Sequence, residues 1–215
     1  TTNNPQPTTN EVLAQTMDTT SHNFTWQTFA FGEHSTSILY DVAIINENDI
    51  WAVGEIYMND SLGNPDPQAY NAVHWDGNSW ELKRILYQGG IWTIRTIYAF
   101  NQNDIWFSGY VRYYNGNFIS LPIPQILIGW SINKIWGSSN NNLYIVGEAG
   151  NIAHYNGTTW QRIESGITLP INDVWGDKNS DGEYEVYCLA SNGPSVPQGL
   201  ALLRIKNNIA ENLPI

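Results

Sequence analysis

The sequence predicts an all-β fold of four-stranded antiparallel blades, and three observations carry that prediction. One pattern recurs four times, each copy holds four short β-prone runs, and no stretch shows helical periodicity. In the first copy Val42 to Trp51 reads VAIINENDIW. Ile97 to Trp106 reads IYAFNQNDIW and Ile135 to Tyr144 reads IWGSSNNNLY, aligned without a gap. The fourth copy, Val174-Trp175-Gly176 to Val186-Tyr187, aligns once an insertion is allowed. All four continue in step to a small residue: Gly54, Gly109, Gly147 and Ala190. The third and fourth runs flank His74-Trp75-Asp76-Gly77-Asn78-Ser79-Trp80, Tyr113-Tyr114-Asn115-Gly116-Asn117-Phe118 and His154-Tyr155-Asn156-Gly157-Thr158-Thr159-Trp160. A degraded Arg204-Ile205-Lys206-Asn207-Asn208 stands in the fourth copy. Asp-Gly and Asn-Gly supply the positive φ that tight hairpins need. Four strands per repeat of roughly 38–55 residues is the pattern of a β-propeller blade.

Composition agrees. The chain has 215 residues, 13% charged and 13% aromatic, with 10 Trp and 12 Tyr, which excludes coiled coil and disorder over most of its length. Nine Lys+Arg against 20 Asp+Glu gives −11, the wrong sign for a nucleic-acid partner. No apolar run is long enough to span a membrane. The single cysteine, Cys188, excludes an internal disulfide framework; it falls in a central strand and reads as a buried, inert thiol.

The domain reading is a polar tether over 1–22, rich in Thr, Asn, Gln and Pro, followed by a propeller over 23–215. Its repeats run over about 37–83, 92–123, 130–166 and 169–215, with an orphan strand at 24–30. That strand, which contains Trp26, resembles the fourth strand of a blade, so either it closes a four-bladed ring, or the chain is a fragment of a propeller with more blades, or the strand pairs with a neighbouring molecule. The stretch Asn48-Asp49-Ile50-Trp51-Ala52-Val53-Gly54 followed by His74-Trp75-Asp76-Gly77-Asn78-Ser79-Trp80 resembles the repeats of exported bacterial propellers of the Asp-box and tachylectin-like kind. The resemblance covers residues 24–215 and implies the fold and an extracellular, cell-surface or periplasmic location, with a lipid anchor upstream as one route to the surface. The Ser and the longer spacing of a true Asp box are missing, so sialidase chemistry is not implied.

Eight tryptophans (26, 51, 75, 80, 106, 136, 160 and 175) sit at repeat-equivalent positions and read as packing between blades. His74 and His154 are likewise repeat equivalents, opposite Tyr113 and Arg204, which marks them as structural. Positions that vary between copies are the candidate binding residues. Asp41, Arg95 and Asp173 precede the first-strand aliphatic and are expected to line the central channel. Two long loops widen one face. The first, between strands two and three of copy one, carries Tyr57, Asn59, Asp60 and Tyr70. Trp92 and Trp130 stand in the connections between blades on that same face, where exposed rings beside amides suit a sugar.

The insertion of copy four, Asp177-Lys178-Asn179-Ser180-Asp181-Gly182-Glu183-Tyr184-Glu185, has alternating oxygen donors about a glycine. It resembles the calcium loops of integrin-type propellers. The expected site is structural Ca²⁺ held by Asp177, Asn179, Asp181 and Glu185 side chains and the Glu183 carbonyl. Three functions follow from these residues: a non-enzymatic propeller binding a glycan or protein, a glycan-active enzyme seeded by Asp41, Arg95 and Asp173, or a structural subunit that self-assembles through 24–30. No catalytic constellation selects the enzyme.

Overall fold

The computed structural model describes residues 27–193 and 199–214. The chain divides into two units, Thr1–Ala30 and Phe31–Ile215. The tether 1–22, Trp26 and the start of the strand expected at 24–30 lie outside the described residues, and residues 27–30 form no strand.

The second unit is a β-propeller of four antiparallel four-stranded blades, each a meander in sequence order. Blade 1 holds β1 (Ile38–Asn46), β2 (Asp49–Ile56), β3 (Tyr70–Trp75) and β4 (Trp80–Lys83). A two-stranded ribbon, β5 (Leu86–Tyr87) and β6 (Gly90–Ile91), follows it. Blade 2 holds β7 (Ile97–Asn101), β8 (Asp104–Phe107), β9 (Val111–Tyr114) and β10 (Asn117–Ser120). Blade 3 holds β11 (Ile132–Ser139), β12 (Asn142–Gly147), β13 (Ile152–Tyr155) and β14 (Trp160–Ile163). Blade 4 holds β15 (Ile171–Lys178), β16 (Tyr184–Ser191), β17 (Leu200–Lys206) and β18 (Ile209–Leu213). Among the described residues, no helix is long and apolar enough to cross a membrane.

Because side chains alternate across a strand, each blade presents two rows to its neighbours. An aliphatic-led row faces the preceding blade: Ile97, Phe107 and Val111 in blade 2, Ile135, Ile145 and Ala153 in blade 3, Val174, Cys188 and Leu203 in blade 4. An aromatic row faces the following blade, led by Trp51, Trp106 and Tyr144 on the second strands. The rows interlock in three separate cores. Trp51 and Val53 pack with Ile97 and Phe107, Trp106 with Ile135 and Ile145, and Trp136 and Tyr144 with Val174 and Cys188. All of these are at least nine-tenths buried. Burying each large ring removes about 150–250 Å² from water, so these junctions hold the blades together.

In blades 1 to 3 the aromatic of the second strand carries a polar lid from the third. His74 stacks on Trp51 at 4.0 Å and His154 on Tyr144 at 4.4 Å. The Arg112 guanidinium lies 5.1 Å over Trp106. The first residue of each second strand fixes the lid: Asp49 with His74 (2.9 Å), Asp104 with Arg112 (2.6 Å) and Asn142 with His154 (2.7 Å). Both histidines are therefore structural, as their recurrence predicts. The residue standing opposite them in blade 2 is Arg112, not Tyr113. Asn115 and Gly116 (φ 47° and 87°) make a two-residue hairpin there, whereas Asp76 and Asn156 cap four-residue turns in blades 1 and 3. The shorter turn moves the register by one residue.

Trp175 departs from the packing expected of it. It repeats Trp136, which is 4% exposed, yet is itself 64% exposed, because nothing among the described residues covers the outer face of blade 4.

Candidate functional site

Asp41 does not stand free in the channel. Its Oδ2 accepts hydrogen bonds from Thr96 Oγ1 and the Ile97 amide, both at 3.0 Å. Its Oδ1 accepts from the Val42 amide and pairs with Lys134 Nζ at 2.6 Å. Thr96 Oγ1 in turn accepts the Ile135 amide at 3.1 Å, and Asn133 Nδ2 donates to the Ile171 carbonyl. These residues lace the first strand of one blade to the next. A hollow of about 410 Å³ runs between the four first strands, lined by Val42–Ile44, Ile97–Ala99, Lys134–Trp136 and Asp173–Trp175. Asp173 lines it, and its Oδ1 accepts the Val174 amide at 2.9 Å. Arg95 does not line it.

Arg95 belongs to a second cleft of about 450 Å³ between blades 1, 2 and 3, together with Trp92 and Trp130. Three elements build it. The connection leaving blade 1 brings Tyr87, Trp92 and Arg95; the turn between β8 and β9 brings Ser108 and Tyr110; the connection into β11 brings Trp130. The floor is apolar: Ile85, Ile94, Phe107, Val111 and Ile132. The β8–β9 turn is only Ser108-Gly109-Tyr110, with φ of 47° and 75° at the first two. Its Ser108 and Tyr110 line the cleft.

The walls are pinned from behind. Asn71, 2% exposed, donates from Nδ2 to the Ile85 and Trp92 carbonyls (2.8 and 2.9 Å) and accepts the Ile85 amide. Trp92 keeps its ring 66% exposed at the rim. Arg162 lies 5.6 Å over the Trp130 ring. Arg95 contacts the ring of Tyr40 at 5.3 Å and has no carboxylate partner among the described residues. Burial raises the Tyr110 hydroxyl above its ordinary 10.0, so it is a neutral donor at the wall.

Trp92 also borders a third hollow of about 440 Å³, lined by Glu55, Tyr57, Gln68, Leu86 and Gly90 among others. Tyr57 therefore shares a surface with Trp92. Tyr70, Asn59 and Asp60 serve the loop itself. Tyr70 stacks under Arg84 at 3.9 Å, Asn59 Oδ1 accepts from His34 Nε2 at 3.0 Å, and Asp60 Oδ1 accepts the Leu62 and Asn64 amides.

The 177–185 insertion joins β15 to β16 as a hairpin turn closed by Asn179. Its Oδ1 accepts the Asp181 and Glu183 amides, and its Nδ2 donates to Glu185 Oε1. Glu185 also accepts from the Tyr187 hydroxyl and faces Lys206 Nζ at 3.5 Å. Among the described residues no group of three or more His, Cys, Asp or Glu side chains gathers as a metal site; Asn179 and the Glu183 carbonyl, two of the five expected calcium donors, are of other kinds, and calcium here is left to titration. Cys188 is 1% exposed and burial, then Asp173, pushes its thiol up to about 12, which leaves it inert.

Neither a protein-family model nor a curated protein matches the chain. Among solved structures it is similar to YCF48 bound to D1 peptide, at 15% identity and a TM-score of 0.53 over 82% of this chain and 55% of that one. YCF48 from Cyanidioschyzon merolae is matched at 13% identity and a TM-score of 0.46, over 82% and 56%. The chain thus spans about half the length of these neighbours. At this identity the first likeness concerns the fold, and it agrees with the four blades described above.

Proposed function

We propose that this protein is a non-enzymatic binding propeller that holds a peptide segment of a protein partner in the cleft between Trp92 and Trp130. The observation that carries the reading is the convergence of three separate connections on one apolar-floored cleft, with exposed Trp92 at its rim and Arg95 unpaired beside it. An apolar floor under aromatic walls suits a bulky peptide side chain, and the amides and hydroxyls of the rim suit its backbone. The structural neighbour was solved with a D1 peptide, which is consistent with this reading.

A glycan is the second reading. The exposed Trp92 ring stands beside Tyr57, Glu55 and Gln68, a stacking platform with polar groups next to it. Either ligand fits a cell-surface, periplasmic or extracellular role. An enzyme is disfavoured at the channel carboxylates because Asp41 is committed to Lys134, Thr96 and the Ile97 amide.

Peptide and glycan arrays, probed with the wild type, W92A and W130F, test the proposal. Peptide hits that weaken at least tenfold in W92A, with an unchanged melting temperature, support it. Peptide binding indifferent to both substitutions, or glycan hits alone, refutes it.

A further inference from the structure

The outer face of blade 4 repeats positions that are buried at every internal junction. Tyr187 is 38% exposed where Trp51, Trp106 and Tyr144 are 4–7% exposed, and Leu189 is 49% exposed where Val53 and Val146 are fully buried. Trp175 is 64% exposed where Trp136 is 4%. Isolated exposed apolar residues are ordinary, but adjacent ones on paired strands form a patch that marks an interaction surface. Trp175 pairs with Tyr187, and Asp173 with Leu189, across β15 and β16.

The junction between blades 3 and 4 shows what such a face accepts. The Trp136 ring lies against Gly176, where an added Cβ would come within 2.5–2.9 Å of three ring atoms. A tryptophan at this position of the first strand therefore demands glycine two residues after the aliphatic of the covering blade, as in Val174-Trp175-Gly176. Between blades 2 and 3 the corresponding Tyr98 donates to the carbonyl of Gly137, again two residues after Ile135. Between blades 1 and 2 the corresponding residue is the small Ala43, the position two after the aliphatic Ile97 is Ala99, both pack against the same core, and no large ring calls for a glycine there. Trp175 restates the Trp136 condition. Blade 1 of a second copy offers Val42-Ala43-Ile44, and Ile44 puts a branched side chain where the ring requires none.

We propose that the outer face of blade 4 is a docking surface for another four-stranded propeller blade, not one of the four in this chain, whose first strand reads aliphatic-x-Gly. Ile44 keeps a second copy of this chain from taking that place. Asp173 is prepared for the same occupant. Like Asp41, it caps the amide that follows it with Oδ1; Asp41 uses its Oδ2 for the Ile97 amide of the next blade, and the matching oxygen of Asp173 has no partner among the described residues.

The test is to give the chain the missing pattern. Ile44 is 70% exposed, so substituting it leaves the core intact. Sedimentation velocity from about 1 to 200 μM on wild type, I44A, I44G and I44G/W175A reads association, with melting curves to confirm folding. The expected result is a wild type and an I44A that stay monomeric and an I44G that associates with rising concentration. I44G/W175A returns to monomer, and oxidative footprinting finds Trp175 protected only in associated I44G. Association of the wild type through Trp175 overturns the proposal by making a second copy the occupant. A folded I44G that stays monomeric overturns it as well.

Discussion

Trp136 and Trp175 occupy the same repeat position, which makes their truncation a test of the junction code within one molecule. Trp136 is 4% exposed, touching Tyr144 at 6.1 Å between centroids and resting on Gly176. Truncation to alanine removes nearly all of a large buried ring and leaves a cavity between two stiff sheets. That costs about 3–5 kcal/mol. Trp175 keeps only about a third of its surface out of water. At about 25 cal/mol per Å² its truncation costs about 1–2 kcal/mol. Equilibrium urea unfolding, followed by far-ultraviolet circular dichroism at a concentration where the chain is monomeric, measures both. The expected difference is about 1–4 kcal/mol, W136A being the weaker fold, with the same m-value in the two variants. Equal losses would refute the reasoning, since Trp175 would then be as well covered as its equivalent.

Asp41 joins three blades, so D41A should lower stability by about 2–4 kcal/mol, because Lys134, Thr96 and the Ile97 amide all lose a charged acceptor in a part-buried site; a loss under 0.5 kcal/mol would show the lacing to be incidental. Burial holds the His154 imidazole below its ordinary 6.5, so the unfolded chain takes up that proton first. Its contribution is complete above pH 6.5 and is lost as pH falls below 6.5 towards the folded value. Unfolding free energy measured from pH 7.5 to 5.5 should fall less steeply in H154Q than in wild type, and parallel curves would exclude the assignment. Calcium in the 177–185 loop has a specific signature: the ion must displace Lys206 from Glu185, so K206Q should give a larger calorimetric heat than wild type. No heat from either protein at millimolar Ca²⁺ removes the loop as a calcium site.

The sequence alone determined the blade count, the strand order within each blade and the structural role of His74 and His154. Those follow from local rules: period-two alternation, Asn-Gly and Asp-Gly turns, and recurrence at fixed spacing, all of which survive without knowing what a strand faces. It also picked out Trp92 and Trp130 as rings outside the repeat. Only the tertiary structure could gather them with Arg95, because their shared cleft is lined by connections far apart in sequence and by the turn at Ser108-Gly109-Tyr110. Asp41 and Trp175 show the same division. The sequence placed both correctly on first strands, but an acid and a ring are defined by their neighbours. Lys134, 93 positions away, turned Asp41 from a candidate ligand into a tie, and the uncovered face of blade 4 turned Trp175 from core into surface. Burial and ion pairing are properties of the junctions between blades, and a repeat read one copy at a time does not contain them.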